Sequence, residues 1–324
     1  MSLNRRFVPV FLCLLVACQL CVAQAQQPPR RVGYLTIGTP ATSSHLLRAF
    51  TENLQRRGFA EGRDVEFVVR YAMGREQALD KLAREIAERR PALVLAPGTV
   101  VAEAMKKAAP GTPIITLTGD ITGTGLAATL ARPGSVVTGV SFLSSALDAK
   151  RLELLAELLP KGSTILNLSD SSARAGSHAA LGDAARALGI TLHSVEARTP
   201  AEIDLAFDAA RKLQVSGINV LTSPFLNTER ARIIKLGAQA RLPAIYQWPE
   251  SAEEGGLIGY GPRLTEIYRQ LASYAARILQ GANPADLAVE QPTKFELVIN
   301  AKTASALGIR IPQSLLVRAD RVIE

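Results

Sequence analysis

Six residues carry the one motif with a defined chemistry. Gly123-Thr124-Gly125-Leu126-Ala127-Ala128 fits the G-x-G-x-x-A dinucleotide fingerprint, and Asp148 follows near the spacing of a ribose-binding acid. In that role the glycines let backbone approach a pyrophosphate, and the chain would be a nicotinamide-dependent oxidoreductase. The context argues against it. A genuine fingerprint joins the first strand of its unit to a full helix, whereas this one follows a fourth predicted strand and its apolar run stops at Pro133. These glycines are therefore expected to form turns. The three histidines, His45, His178 and His193, make no pair at metal-ligand spacing, and no G-x-S-x-G elbow is present. All three cysteines, Cys13, Cys18 and Cys21, lie in the first 25 residues, so thiol chemistry is confined there. No cofactor, no metal and no catalysis are expected.

Polar and aromatic residues instead gather where predicted strands end, the place at which open parallel sheets bind ligands. Thr39, Ser43 and Ser44 follow the first strand; Ser43 and Ser44 either cap a helix or hydrogen-bond a ligand. Gly98 and Thr99 end a strand and open a helix, whose free N–H groups suit an anion; Thr99 serves there or as a plain N-cap. Asp120 and Asp170, with Ser171 beside the latter, either receive an ammonium group or close Asx-turns. Phe225, Tyr246, Trp248 and Tyr260 are expected to make an aromatic cleft wall, with interlobe packing as the alternative for Tyr246 and Trp248.

The elements that must position these residues are legible from periodicity. Strands are expected at 31–37, 64–71, 92–96 and 113–118, with helices at 43–57, 75–89 and 100–108 between them. Leu46, Leu47, Phe50 and Leu54 share one face of the first helix. A glycine-rich break covers 120–141. A second series then supplies strands at 163–168, 191–197, 217–222 and 243–246, followed by a glycine-rich stretch at 253–262, a helix at 264–280 and one more strand at 291–300. Alternating strands and helices predict an α/β fold with two parallel-sheet lobes. The lobes are expected to comprise 30–143 with 250–284, and 144–249 with 285–324.

Arg5 and Arg6, an apolar run over 7–22 and Ala23-Gln24-Ala25 stand in the order of an export signal cleaved after Ala25. Leu15-Val16-Ala17-Cys18 offers the alternative of a lipid anchor at Cys18. No later segment has the roughly 18 apolar residues of a membrane-spanning helix. The formal charge of +8 becomes +6 once Arg5 and Arg6 leave, since no acid precedes Gln26. The remaining basic pairs, such as Arg56-Arg57 and Lys106-Lys107, fall at helix ends where they complement the dipole. No nucleic-acid partner is expected.

Ordered motifs then carry a resemblance across almost the whole chain after the signal. These are Gly58-Phe59-Ala60-Glu61-Gly62, Leu130-Ala131-Arg132-Pro133-Gly134 with Val137-Thr138-Gly139, Arg151-Leu152-Glu153-Leu154-Leu155, Tyr260-Gly261-Pro262 and Gln291-Pro292-Thr293-Lys294-Phe295-Glu296. Together they resemble the ABC-transporter substrate-binding family that includes tryptophan- and tyrosine-binding members. The resemblance implies a type I periplasmic-binding-protein fold, three crossings between lobes, and a small amino-acid-like or aromatic ligand in the interlobe cleft. It also implies delivery of that ligand to an ABC permease in the cytoplasmic membrane by a periplasmic, monomeric protein. A ligand-sensing partner of a membrane receptor is the further alternative. One departure stands out: Ser169-Asp170-Ser171-Ser172-Ala173-Arg174 replaces the family's Asn-Pro-containing loop, so its ligand preference does not transfer.

Overall fold

The computed structural model describes residues 28–142, 144–170 and 175–324. The expected export signal and its cysteines, and Ser171, lie outside them.

The first unit runs β1 (Arg30–Thr36), α1 (Pro40–Arg56), β2 (Val65–Tyr71), α2 (Leu79–Glu88), β3 (Leu93–Leu95), α3 (Thr99–Ala108), β4 (Ile114–Thr118) and β5 (Val137–Ser141). Its five strands pair in the order β2-β1-β3-β4-β5, all parallel. Strands β3, β4 and β5 are buried along their whole length, as a sheet covered on both faces requires.

The chain then builds α4 (Ser144–Ala156), β6 (Thr164–Ser169), α5 (Ala175–Leu188), β7 (Thr191–Glu196), α6 (Pro200–Lys212) and β8 (Gly217–Val220). It continues through α7 (Pro224–Thr228), α8 (Arg230–Ala240), β9 (Ala244–Tyr246), α9 (Pro249–Glu253), β10 (Ile258–Gly261) and α10 (Leu264–Leu279). Last come β11 (Glu296–Asn300), α11 (Ala301–Leu307), α12 (Gln313–Arg318) and β12 (Arg321–Ile323). The seven strands of this sheet order as β12-β11-β10-β9-β8-β6-β7, parallel except for the β10–β11 pair. The α/β class and the two parallel-dominated sheets match the sequence reading.

Three strands escaped that reading. β5 and β10 lie inside the two stretches read as glycine-rich breaks, and β12 is three residues long. Their glycines mark close backbone approach rather than turns. Gly139 sits at φ 140°, and a Cβ there would stand 2.0 Å from the Thr116 carbonyl oxygen of β4. On Gly259 and Gly261 it would stand 2.3 and 2.2 Å from the carbonyls of Trp248 and Gln247.

The expected lobe boundaries need correction for the same reason. Residues 250–261 are expected with the first lobe, yet β10 pairs with β9 and β11. α10 does return to the first sheet and packs along α1. Residues 285–290, expected in the second lobe, stay beside β5: Glu290 N–H donates to Gly139 O and Ser141 N–H to Glu290 O, both at 3.0 Å. The chain thus passes between the sheets three times: from β5 to α4, from β10 to α10, and between Glu290 and β11.

Among the described residues no helix is long and apolar enough to cross a membrane.

Candidate ligand site between the two sheets

A cavity of about 390 Å³ lies where the carboxyl ends of β1, β3 and β4 face the loop after β8. That volume is within the roughly 300–1,000 Å³ of small-molecule sites. Gly98 and Thr99 on one side and Ser223 and Pro224 on the other bring the two sheets together across it. Gly98 adopts φ 108° and ψ 144°, and a Cβ there would stand 2.8 Å from Pro224 Cγ. Glycine is needed at this point both for the backbone angle and for the contact between sheets.

Hydroxyls dominate the polar wall: Ser43, Thr99, Thr118, Ser145, Thr222 and Ser223. Among the described residues no Lys, Arg or His lines the cavity, and Asp120 is its one formal charge. An anionic group would therefore be received by backbone. Gly98 is the N-cap of α3 and supplies no side chain, and Thr99 is the first helical residue, not the cap. The first-turn N–H groups of this ten-residue helix are left without a side-chain acceptor.

The apolar wall combines Ile37, Leu46, Leu117 and Leu264 with aromatic rings. Phe142, just after β5, meets Trp248, just after β9, edge to face with ring centroids 5.4 Å apart. Tyr268, from the second turn of α10, adds a third ring to the lining. Its hydroxyl lies 3.4 Å from that of fully buried Tyr34. Burial pushes the Tyr34 phenol up to about 12, against the opposing effect of hydrogen bonds to Tyr268, Thr36 and Ser43. Two wall residues carry buried polar atoms with no partner among the described residues, Thr118 Oγ1 and Trp248 Nε1. Unmet buried groups of this kind are uncommon, and a molecule in the cavity can supply what they lack.

Of the residues expected from sequence, Ser43, Gly98, Thr99, Asp120 and Trp248 line the cavity. Asp120 does so while also closing a turn: its Oδ1 accepts from Gly123 N–H at 2.8 Å and Thr122 Oγ1 at 2.9 Å. The others lie elsewhere. Thr39 caps α1 in a reciprocal box with Thr42; Ser43 lines the cavity, and Ser44 is outside the wall. Asp170 is buried and accepts from Ser223 Oγ at 2.5 Å, so it holds a wall residue without joining the wall. Phe225 and Tyr246 point into the core, and burial raises the Tyr246 phenol. Tyr260 packs on Phe295, centroids 6.5 Å apart. The single-residue alternation of a strand and the turn of a short helix decided these placements, and composition alone does not encode them.

Sequence reasoning missed Phe142, Thr222 and Tyr268. Tyr268 shares the apolar stripe of α10 with Leu264, Ile267 and Leu271, but periodicity marks a buried face without saying what it faces. The Gly123–Ala128 segment forms turns and no helix follows it, so it lacks the helix N-terminus that a dinucleotide pyrophosphate requires. Nor do the described residues hold a His, Cys, Asp and Glu cluster suited to a metal.

Comparison with known proteins agrees with this fold. A family model for ABC transporter substrate binding proteins matches residues 39–323. A conserved domain protein from Vibrio cholerae is 26% identical over 91% of this chain and 100% of its own, with a TM-score of 0.82. An ABC domain in complex with L-Trp from Streptococcus pneumonia is 23% identical over 91% and 100%, with a TM-score of 0.81. The Caulobacter myo-inositol binding protein is 14% identical over 86% and 97%, with a TM-score of 0.59. Comparison with curated proteins found no match.

Proposed function

The chain belongs to the ABC transporter substrate-binding protein family and has the type I periplasmic-binding-protein fold, and from that premise we propose that it captures a small amino-acid-like or aromatic solute in the interlobe cavity. The observation that carries this reading is the pairing of an aromatic wall, Phe142 and Trp248, with an uncapped helix N-terminus at Gly98 and Thr99. A ring packs on the aromatics while a carboxylate takes the α3 N–H groups. Asp120 is the acceptor for an ammonium group. The L-Trp bound to the Streptococcus pneumonia protein supports this ligand class.

Capture works by differential affinity: a ligand touching both sheets stabilises the arrangement in which Gly98 meets Pro224, and an importer reads that arrangement. The membrane partner is an ABC permease. The N-terminal charge, apolar run and Ala23-Gln24-Ala25 support export to the periplasm with cleavage after Ala25, or anchoring at Cys18.

Trp248 is the one tryptophan of the chain. Its emission therefore reports on the cavity directly. The test is a panel of amino acids and small aromatic acids added to refolded, ligand-stripped protein, read by Trp248 emission and thermal shift, with calorimetry for ligands that fluoresce. At a concentration 100 times Kd a true ligand stabilises by about 2.7 kcal/mol. Absence of any shift or heat across the panel sinks the reading.

A further inference from the structure

Arg151 is the largest fully buried side chain among the described residues. Its guanidinium is paired with the buried Asp148 one helical turn earlier on α4. Burial disfavours the charged form of both partners. Replacing a pair of this kind by well-packed apolar residues of similar volume is often neutral or stabilising. Stability is therefore weak grounds for its presence.

Its contacts run in two directions. Toward the cavity, Arg151 Nη1 donates to Thr222 Oγ1 at 3.3 Å, and Thr222 Oγ1 donates to Asp148 Oδ1 at 3.4 Å. Thr222 lines the cavity at the end of β8. Toward the hinge, Arg151 Nε donates to the Tyr260 carbonyl of β10 at 2.9 Å. β10 feeds the second crossing and α4 follows the first. Arg151 Nη2 stays buried without a partner among the described residues, beside Gly261 at the mouth of that crossing.

We propose that Asp148 and Arg151 are positioning residues for ligand binding: they fix Thr222 in the cavity wall and lock that wall to β10, the strand entering the second crossing. The inference rests on the cavity being the ligand site. Neither residue touches the ligand. Each acts through Thr222, whose hydroxyl both of them hold.

The test replaces the pair by Asp148→Leu with Arg151→Met in the full chain. The double variant is expected to melt within about 5 °C of the parent, because apolar isosteres replace buried charges. Amide exchange in the peptide 219–224 is expected to rise about tenfold while that of 164–169 stays unchanged. Affinity for L-tryptophan, or for the panel compound that binds tightest, is expected to fall about tenfold. Thr222→Val alone should cost a similar factor, and adding it to the double variant should cost nothing more, since one pathway is already cut. Parental exchange at 219–224 together with parental affinity overturns the proposal, as does full additivity with Thr222→Val. If the double variant fails to fold, Asp148→Asn, which keeps the shape and removes the charge, is judged by the same exchange and affinity readouts. If the parent binds nothing in the panel, the ligand reading fails, and exchange at 219–224 alone decides whether the pair holds Thr222.

Discussion

Replacing Gly98 by alanine separates two effects that the structure superimposes at one residue. The backbone there, at φ 108° and ψ 144°, lies close to a region that glycine almost alone visits. Forcing an L-residue into it costs about 1–3 kcal/mol. That strain is present with the sheets apart or together, so it lowers the melting temperature without changing affinity. The second effect is the new methyl, 2.8 Å from Pro224 Cγ where carbon atoms rest at about 3.5–4.0 Å. Relief needs roughly 1 Å of separation between the sheets, and overpacking of this size costs about 1–3 kcal/mol. It acts only in the arrangement that encloses the ligand, so affinity falls about 5- to 150-fold. Pro224→Ala removes the offending Cγ and leaves the next contact, Pro224 Cβ at 3.6 Å, an ordinary one. Gly98→Ala with Pro224→Ala should then regain most of the affinity of Pro224→Ala alone while remaining less stable. Calorimetry gives the affinities, thermal denaturation the stabilities, and small-angle scattering the degree of closure. Undiminished affinity and closure in Gly98→Ala would show that Gly98 does not meet Pro224 when ligand is held.

Three further outcomes follow from single residues. Asp120→Asn keeps the Oδ1 acceptor of the Gly123 turn and removes the charge, so stability should hold while affinity for an ammonium-bearing ligand drops about tenfold; equal affinity would remove Asp120 from recognition. Thr39→Ala should cost about 0.5–2 kcal/mol of stability through loss of the α1 cap and leave affinity intact, because Thr39 is outside the cavity wall; a loss of affinity at unchanged stability would return it to the site. Tyr34, raised from 10.0 to about 12, contributes stability that is fully present below about pH 10 and is lost as pH rises through about 12. That is roughly 3 kcal/mol over the two units. Denaturant melts should weaken across this window, Tyr34→Phe should weaken less, and an ordinary phenolate titration for Tyr34 would refute its burial.

How far the site could be read in advance depended on the geometry of each residue. Ser43, Gly98, Thr99, Asp120 and Trp248 follow strand ends, and every strand end of a parallel sheet points to the same side, so position in the chain located them. Thr39 and Asp170 follow strand ends as well, but one serves a helix cap and the other accepts from Ser223 across the sheet. Phe225 and Tyr246 lie one or two positions from wall residues and face the opposite way.

The sequence by itself determined the fold class and the order of the sheet units, because periodicity and capping are local properties. It also made the Gly123–Ala128 fingerprint a weak one, since Pro133 cuts short the run that would follow it. Only the tertiary structure decided that Gly139, Gly259 and Gly261 are strand residues pressed against neighbouring backbone. It alone brought Tyr268 from a distant helix under the cavity, and turned Asp148 from a candidate ribose acid into the buried partner of Arg151. The physical reason is common to all three. Close approach, burial and charge pairing depend on what stands opposite a residue, and residues far apart in the chain supply it.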